Sequence, residues 1–271
     1  MRLVDCFVSA AESLRANLLR SALTALGIII GVGAVIAMVA VGEGAENRVE
    51  SVIKRLGSNL LIVSNGTRRT GGARSASGTR LSLTQDDANA LGRELESVQV
   101  AAAEVRGTGQ IVFGNSNWST TLSGVTPEYF EAREWDLAEG RLITDADVRS
   151  GGKVAVVGLT LVKELFGGTS PLGQVIRIMR VPFTVVGVLG EKGQTAWGRD
   201  LDDVLFLPLT TAKKRVLGGR QVRGDLVRNI TVKAASAELV AAAEKDVTEL
   251  LRRRHKIGPS QADDFYIRNL A

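Results

Sequence analysis

The residue types that most often carry out chemistry are scarce in this chain and far apart. Its 271 residues include one histidine, His255, and one cysteine, Cys6. A zinc site needs several ligands in one place and a cysteine nucleophile needs a neighbouring base, so neither kind of site is expected. His255 follows three arginines at the end of a predicted helix, where a positive charge is favourable, and we interpret it as structural. We interpret Cys6 as a small apolar side chain, with a reactive thiol as the less favoured alternative.

Three aspartates close in sequence, Asp200, Asp202 and Asp203, are the best candidates for a metal site. Carboxylates bind hard cations, but Lys192 and Arg199 lie near these residues in sequence, so we favour a solvated or salt-bridged loop. We interpret the arginine run at 252–254 as a solvated helix end, and a lipid or phosphate site is the alternative. The sequence therefore predicts no catalytic, cofactor-binding or metal-binding residue.

The sequence also lacks the short motifs of common enzymes. It contains no GxxxxGK[ST] phosphate loop, no GxSxG nucleophile elbow and no HExxH zinc pair. Without a phosphate loop, the chain is not expected to hydrolyse ATP. The formal net charge is +5, but the basic residues are mixed with nearly as many acids and aromatic residues make up 4% of the chain. This composition does not fit a nucleic-acid interface.

An apolar stretch near the N-terminus is the most informative element. Residues 21–42 carry no charged side chain. A helix of that length, rising about 1.5 Å per residue, spans roughly 30 Å, the thickness of a hydrocarbon core. We predict a retained transmembrane helix. A cleaved signal is the alternative, but signal cores are usually only about 7–15 residues long and lie closer to the N-terminus. Basic residues flank both sides of the stretch, so their count does not orient the helix.

Helical patterns continue on both sides of this transmembrane segment. Residues 1–20 are predicted to form an amphipathic helix on the membrane surface, and a frayed start of the transmembrane helix is the alternative. An apolar stripe at helical spacing follows the membrane segment, and we predict that residues 43–57 form a stalk helix. The stripe consists of Val49, Val52, Ile53 and Leu56.

Within the transmembrane segment, Gly27 and Gly31 form a GxxxG pair. Small residues four positions apart let the backbone of a second helix approach closely, so this face is a candidate for helix packing. An ordinary lipid-facing segment is the alternative, because glycine is common in membrane helices.

Short predicted strands and helices are mixed along the rest of the chain, which indicates the α+β class. Asp87 stands three residues after Thr84, the spacing of a helix capping box. Residues 65–80 lack any periodicity and predict a mobile loop, with a partner contact as the alternative. The predicted strands are 59–64, 98–106, 111–113, 118–125, 154–157, 175–179, 183–189, 204–207, 229–233 and 265–267. Two helices are predicted to start at Thr84 and at Thr126-Pro127. Three more are predicted to cover 159–166, 210–217 and 236–255.

Several stretches resemble the MacB-type ABC transporter permeases of the FtsX/MacB superfamily. They begin with LRANLLRSALTALGIIIGVGAVIAMVAVGEGA and LGSNLLIV. They continue through GRLITDADV, KVAVVG, FTVVGVL, DLDDVLFLPLTTAKKR and NITVKA. The resemblance covers essentially the whole chain, and its motifs are specific in combination.

The resemblance implies one transmembrane helix followed by a two-lobed extracytoplasmic domain. A porter-like lobe would comprise residues 48–112 and 225–271, and an inserted lobe would comprise 113–224. In the family, the chain leads on through three further membrane helices. This sequence ends at Ala271, so we expect either a fragment or a partner that supplies the remaining helices.

The resemblance implies a permease subunit of the bacterial inner membrane that moves substrate by mechanotransmission. A separate ABC ATPase would bind ATP and Mg²⁺, and a second permease copy would complete a dimer. Whether a periplasmic adaptor and an outer-membrane channel take part depends on the cell envelope, and the substrate is left open. The competing hypothesis is a singly anchored extracytoplasmic binding module without coupling to ATP. An anchored enzyme is the least favoured hypothesis.

Overall fold

The structure is a computed structural model that describes the backbone of residues 17–56, 59–66, 69–70, 73–74, 81–195, 198–217 and 224–270. Side chains are described for the same residues except 45–56, 69–70 and 73–74. The chain forms two compact units, Met1–Val52 and Ile53–Ala271. Most of the predicted amphipathic helix, with Cys6, lies outside the described residues.

Helix α1, Leu18–Leu56, is one continuous helix of 39 residues. Its backbone covers the predicted transmembrane segment 21–42 and the predicted stalk up to Leu56. In the described part of the chain, Leu18–Gly44 is the one helical stretch long and apolar enough to cross a membrane, and none of it is buried. A helix satisfies its own backbone hydrogen bonds, which is what a lipid environment requires.

The second unit is built on a sheet of ten strands. Along the sheet the order is β12–β1–β11–β4–β5–β10–β7–β9–β6, and β8 pairs with both β4 and β9. Among the strands that the structure describes, only the pairs β5–β10 and β7–β9 are parallel. The strands are β1 Leu60–Asn65, β4 Val98–Phe113, β5 Ser116–Val125, β6 Leu137–Gly140, β7 Val154–Val157, β8 Val175–Ile178, β9 Val181–Leu189, β10 Val204–Pro208, β11 Asn229–Ala234 and β12 Phe265–Asn269. Strands β2 (Arg69–Thr70) and β3 (Ala73–Arg74) form a separate two-stranded sheet.

Helices cover both faces of the sheet. They are α2 Gln85–Glu94, α3 Glu128–Ala132, α4 Asp145–Ser150, α5 Leu159–Phe166, α6 Leu209–Thr211 and α7 Val240–Arg254, and a π-helical turn, Ala212–Val216, continues α6. Thr84 and Thr144 cap α2 and α4 through complete capping boxes with Asp87 and Asp147. Each box satisfies backbone N–H groups that a helix start otherwise leaves unpaired.

Alternation along β4 divides the interior into two apolar cores. Ala101 and Ala103 belong to the larger core, to which α2, α5 and α7 contribute, whereas Ala102 belongs to the smaller one. Successive side chains of a strand point to opposite faces, so the two cores lie on opposite sides of the sheet. In the smaller core, the rings of Tyr129 and Phe130 pack on Phe206 at centroid distances of 5.4 and 5.3 Å.

These observations confirm the α+β class and most predicted elements, including the hairpin of β8 and β9. Three predictions differ from the structure by more than two residues. Strands 98–106 and 111–113 are one strand, β4, because pairing with β5 continues across Gly107–Gly109. Helix α7 starts at Val240 and not at Ser236. The predicted helix 210–217 changes to π-helical geometry at Ala212.

Among the described residues, four elements were missed by the sequence analysis: β6, α4 and the short strands β2 and β3. Strands β2 and β3 lie within 65–80, which was predicted to be a loop, and they pair with each other. Both predicted lobes contribute to the one sheet: β1, β11, β12 and most of β4 come from residues 48–112 and 225–271, and the other strands come from 113–224. The division into these lobes stays a prediction.

Candidate functional site

The predicted helix-packing residues, Gly27 and Gly31, lie on the exposed surface of α1. A Cβ atom added at either position would meet nothing within 4 Å among the described residues. The two positions are one turn of helix apart and leave a shallow strip where backbone is accessible. Packing of a second helix on this strip stays a prediction.

The predicted stalk residues Val49, Val52, Ile53 and Leu56 all belong to α1. The helix ends at Leu56, the last of the four. Their side chains and the predicted cap Gly57 lie outside the described residues, so the apolar stripe stays a prediction.

His255 occupies the C-cap of α7 and is surrounded by two carboxylates. Its Nδ1 lies 2.8 Å from Asp264 Oδ1, and its Nε2 lies 3.2 Å from Asp87 Oδ2. The hydrogen bond with Asp87 raises the pKa of His255 against the effect of burial, and the hydrogen bond with Asp264 adds to the increase. Burial tends to raise the pKa of Asp87, but the hydrogen bonds from His255, Arg254 and Thr84 outweigh burial and hold it well below its usual range. The arrangement joins helix ends, as expected of a structural histidine.

The three arginines before His255 are also paired with acids of the chain itself. Arg252 pairs with Asp263, and Arg254 Nε lies 2.7 Å from Asp87 Oδ1. Arg253 makes a more exposed pair with Glu94 at 3.2 Å. The guanidinium groups of this run therefore compensate carboxylates around the end of α7.

The loop before β10 is held by three carboxylates, those of Asp200, Asp202 and Asp203. Each accepts hydrogen bonds from different donors. Asp202 accepts hydrogen bonds from the backbone N–H groups of Lys192 and Gly193, both at 2.8 Å. Asp200 accepts one from the Thr160 hydroxyl at 2.6 Å, and Asp203 accepts one from the Trp118 indole N–H at 2.9 Å. In the described part of the chain, no group of three His, Cys, Asp or Glu residues is placed to hold a metal ion.

Gly158 lets this loop approach the start of α5. A Cβ atom at Gly158 would lie 2.1 Å from the carbonyl oxygen of Asp202, a distance that side chains do not reach. The close approach brings Asp200 within reach of Thr160 on α5, and it fixes the loop that carries Lys192 and Asp203. Glycine is needed here because the neighbouring atom is backbone and cannot move aside.

One face of the sheet carries a feature that the sequence analysis missed. Four residues form a row across neighbouring strands: Tyr266 on β12, Ser64 on β1, Asn229 on β11 and Glu104 on β4. Residues directly opposite each other on neighbouring strands share a face, so these side chains point to the same side of the sheet. Two adjoining recesses open on this side. Together they are lined by six basic residues, which we call the cationic cleft: Arg106, Arg133, Lys192, Arg199, Arg228 and Arg268.

The first recess has a volume of about 260 Å³ and an aromatic wall. Trp135 is partly exposed in it, and the edges of the buried rings of Tyr129 and Phe206 contribute to its lining. The acids that line it are Asp200 and Asp203, both of which already accept the hydrogen bonds given above.

Lys192 forms part of the wall of the first recess. Its Nζ lies 4.6 Å from the centroid of the Trp135 ring and donates a hydrogen bond to the carbonyl oxygen of Arg133. Burial lowers the pKa of Lys192 to about 8, and the nearby charge of Arg133 acts in the same direction. A cation over an indole ring is attracted by the negative face of that ring, which partly offsets the cost of burial.

The second recess has a volume of about 380 Å³ and is lined by Arg106, Arg228 and Arg268 together with polar side chains. Ser64 and Asn229 supply a hydroxyl and an amide group, and the described lining includes no acid. The amide of Asn65 also lines the recess but already donates hydrogen bonds to the carbonyl oxygens of Val227 and Arg228. Arg106 and Arg268 also line the first recess, so they connect the two.

Arg106 is held in place by a buried carboxylate. Its Nε lies 3.3 Å from Oε1 of Glu104, a residue that is 3% exposed, and the same oxygen accepts a hydrogen bond from Ser123 at 3.1 Å. The charge of Glu104 raises the pKa of Arg106. Burial and, secondarily, Glu104 raise the pKa of Tyr129 to about 12, so the phenol stays neutral.

No local signal in the sequence points to the cationic cleft. Its basic residues come from β4, the segment after α3, the loop before β10 and the two strands β11 and β12 or their approaches. Register between strands brings Arg106 and Arg268 together, and a register cannot be read from one strand alone. The other four residues lie outside strands and are placed by the packing of the domain.

Known proteins are similar to this chain over most of its length. A family model described as the MacB-like periplasmic core domain matches residues 21–250. The macrolide export ATP-binding/permease protein MacB of Chlorobium luteolum is 41% identical over 269 residues, which cover 99% of this chain and 40% of that protein. The protein of the same name from Azoarcus sp. is 38% identical over 99% of this chain and 39% of its own length. The chain thus spans about two fifths of the length of these curated relatives.

Solved structures are also similar to this chain. The periplasmic region of MacB from Actinobacillus actinomycetemcomitans matches with a TM-score of 0.64 and 28% identity, over 80% of this chain and 92% of that one. The extracellular domain of the noncanonic ABC-type transporter YknZ from Gram-positive bacteria matches with a TM-score of 0.60 over 78% of this chain and 100% of that one. At 21% identity, this second match shows the fold alone.

Proposed function

This chain belongs to the MacB-like periplasmic core domain family, and from that membership we propose that it is a permease subunit of an ABC transporter, or the N-terminal part of one. Its α+β domain lies outside the cytoplasm, and α1 is its membrane anchor. We assign the anchor to the inner membrane of a bacterium. These 271 residues contain no phosphate loop, and we propose that an ABC ATPase partner binds ATP and Mg²⁺.

The proposed mechanism is mechanotransmission: ATP hydrolysis on one side of the membrane moves the extracytoplasmic domain on the other side. The observation that carries this proposal is the continuity of α1, which runs without interruption from its apolar segment to Leu56. A helix of i to i+4 hydrogen bonds transmits tilt and rotation along its axis, whereas a flexible linker absorbs them. Strand β1, which contributes Leu61 and Val63 to the larger core, begins at Leu60, shortly after the helix ends.

The proposed partners follow from this mechanism. A second permease copy would complete a dimer, and the exposed strip at Gly27 and Gly31 is a candidate contact between membrane helices. A periplasmic adaptor and an outer-membrane channel would be further partners in an envelope that has an outer membrane. The word macrolide belongs to the names of the relatives, and for this chain a macrolide substrate is a proposal.

Co-purification from native membranes tests the proposed ATPase partner. An ABC ATPase should co-purify with the intact chain in detergent. Recovery of the chain without any such subunit, under conditions that keep a known ABC complex together, would favour the alternative, a singly anchored binding module.

The variant Val52→Pro tests the transmission itself, since a proline inside a helix costs about 3 kcal/mol or more and breaks or kinks it. Val52→Ala is the matched control, because alanine keeps the helix. We would label the extracytoplasmic domains of the complex with spin labels and measure the distance between copies with and without ATP. The ATP-dependent change in distance should persist in Val52→Ala and be lost in Val52→Pro, while both variants retain the wild-type melting temperature of the domain. An unchanged response in Val52→Pro counts against transmission through α1.

A further inference from the structure

We propose that the cationic cleft is a binding site for a small organic anion that joins a phosphate or carboxylate head to an aromatic ring or short apolar body. The inference does not depend on ATP coupling or on the proposed partners. It rests on the charges, shape and side-chain partners of the two recesses.

The second recess has the chemistry of a site for the anionic head. Arg228 and Arg268 are exposed there, and among the described residues neither makes an ion pair. A guanidinium offers N–H groups in a planar fork that matches the oxygens of phosphate or carboxylate. Ser64 and Asn229 lie opposite each other on β1 and β11 and add neutral hydrogen-bonding groups to the floor.

Like charges gathered in one place repel each other, so such a cluster points to an anion that compensates them. The cleft brings six cations together, and the two acids in its lining, Asp200 and Asp203, accept hydrogen bonds from Thr160 and Trp118. Arg106 has a compensating carboxylate in Glu104, and the charges of Glu134, Asp136 and Asp202 act on Lys192. The excess of positive charge is therefore clearest in the second recess, whose described lining holds three arginines and no acid.

The first recess has the chemistry of a site for the apolar body. Trp135 and the edges of Tyr129 and Phe206 form its wall, and Lys192 keeps a positive charge beside the indole ring. Since Arg106 and Arg268 line both recesses, one ligand can contact the arginines of one recess and the aromatic wall of the other. The two volumes, about 260 and 380 Å³, together fall within the range of about 300–1,000 Å³ typical of ligand pockets.

Isothermal titration calorimetry tests this proposal on the whole chain in phosphatidylcholine nanodiscs, with empty discs subtracted and a buffer free of phosphate. The probes are 2-naphthyl phosphate, 2-naphthoate and the uncharged 2-naphthol. The two anions should bind more tightly than 2-naphthol, and added salt should weaken only the anions, because counter-ions screen exposed charges.

Arg228→Gln combined with Arg268→Gln removes the two exposed guanidinium groups without leaving a buried carboxylate unpaired. The dissociation constant of 2-naphthyl phosphate should rise about tenfold or more for each arginine lost, as expected for hydrogen bonds to a charged group. The matched control is Arg93→Gln, an exposed arginine on α2, which should leave the dissociation constant unchanged. All variants should retain the wild-type melting temperature.

A second set of discs that contain phosphatidylglycerol distinguishes the two sources of the anion, a lipid headgroup and a soluble molecule. Weaker binding of 2-naphthyl phosphate in these discs identifies a lipid headgroup as the occupant, and equal binding identifies a soluble anion. The proposal is overturned if 2-naphthol binds as tightly as the anions, or if the double variant binds 2-naphthyl phosphate like the wild type. Neither result bears on the proposed coupling to ATP, because no ATPase is present.

Discussion

The imidazole Nε2 of His255 lies 3.2 Å from Oδ2 of Asp87, although 168 residues separate the two in sequence. The same carboxylate oxygen accepts a hydrogen bond from the backbone N–H of Thr84 at 2.9 Å and closes the capping box of α2. One ion pair therefore joins the end of α7 to the start of α2. Its energy depends on the protonation of both groups.

The first prediction concerns the pH dependence of stability around His255. Its pKa is raised in the folded state above the ordinary value of 6.5, so its contribution is fully present below about pH 6.5 and is lost as pH rises through the folded pKa. His255→Gln should lower the free energy of unfolding by about 1–3 kcal/mol below pH 6.5 and by less at alkaline pH. Urea unfolding at a series of pH values measures this. An equal loss at every pH would show that the charge of His255 does not contribute.

The second prediction concerns Lys192 and Trp135. The pKa of Lys192 falls from 10.5 to about 8 in the folded state, so between these values the unfolded chain binds more protons and stability should rise with pH. Lys192→Met should remove this rise. In addition, Trp135 emission should change with a midpoint near pH 8, because an ammonium group lies over the ring only below that pH. Emission that titrates identically in Lys192→Met would contradict the assignment.

The third prediction concerns Gly158. Gly158→Ala places a Cβ against the Asp202 carbonyl, and the resulting shift of the loop should lower the free energy of unfolding by about 1–3 kcal/mol. The matched control is Gly92→Ala on α2, where the nearest atom is at an ordinary contact distance of 3.5 Å. This control should be neutral or more stable by up to about 1 kcal/mol, because alanine favours helices over glycine. Chemical unfolding of both variants measures the difference, and equal effects would refute the proposed close approach.

The fourth prediction concerns the exposed strip on α1. Gly31→Leu fills the strip without disturbing the described chain, since a Cβ there meets nothing within 4 Å. If a second membrane helix packs on this strip, the variant should weaken self-association in detergent several-fold. Ile29→Leu, on the opposite side of the helix, is the control and should associate like the wild type. Sedimentation equilibrium measures both variants. Unchanged association of Gly31→Leu would remove Gly27 and Gly31 from the contact.

Most of the secondary structure was predictable because it depends on neighbouring residues. The apolar run 21–42, the Thr84–Asp87 capping box and the alternation of the β8–β9 hairpin are patterns within a few turns or a few strand residues. The misses have local reasons as well. The predicted strands 98–106 and 111–113 left out residues 107–110, whereas pairing with β5 continues through them. The capping box of α4 at Thr144 and Asp147 has the same spacing as that of α2 and could have been found by the same argument.

The sequence by itself determined the transmembrane segment, the α+β class and the absence of common catalytic motifs, because each depends on residue types over short stretches. Only the tertiary structure decided the partners of His255 and the existence of the cationic cleft. Arg106 and Arg268 are neighbours only because four strands align with one register, in which Tyr266, Ser64, Asn229 and Glu104 stand in a row. That register results from burying both faces of the sheet at once, which is a property of the whole domain and not of any single segment.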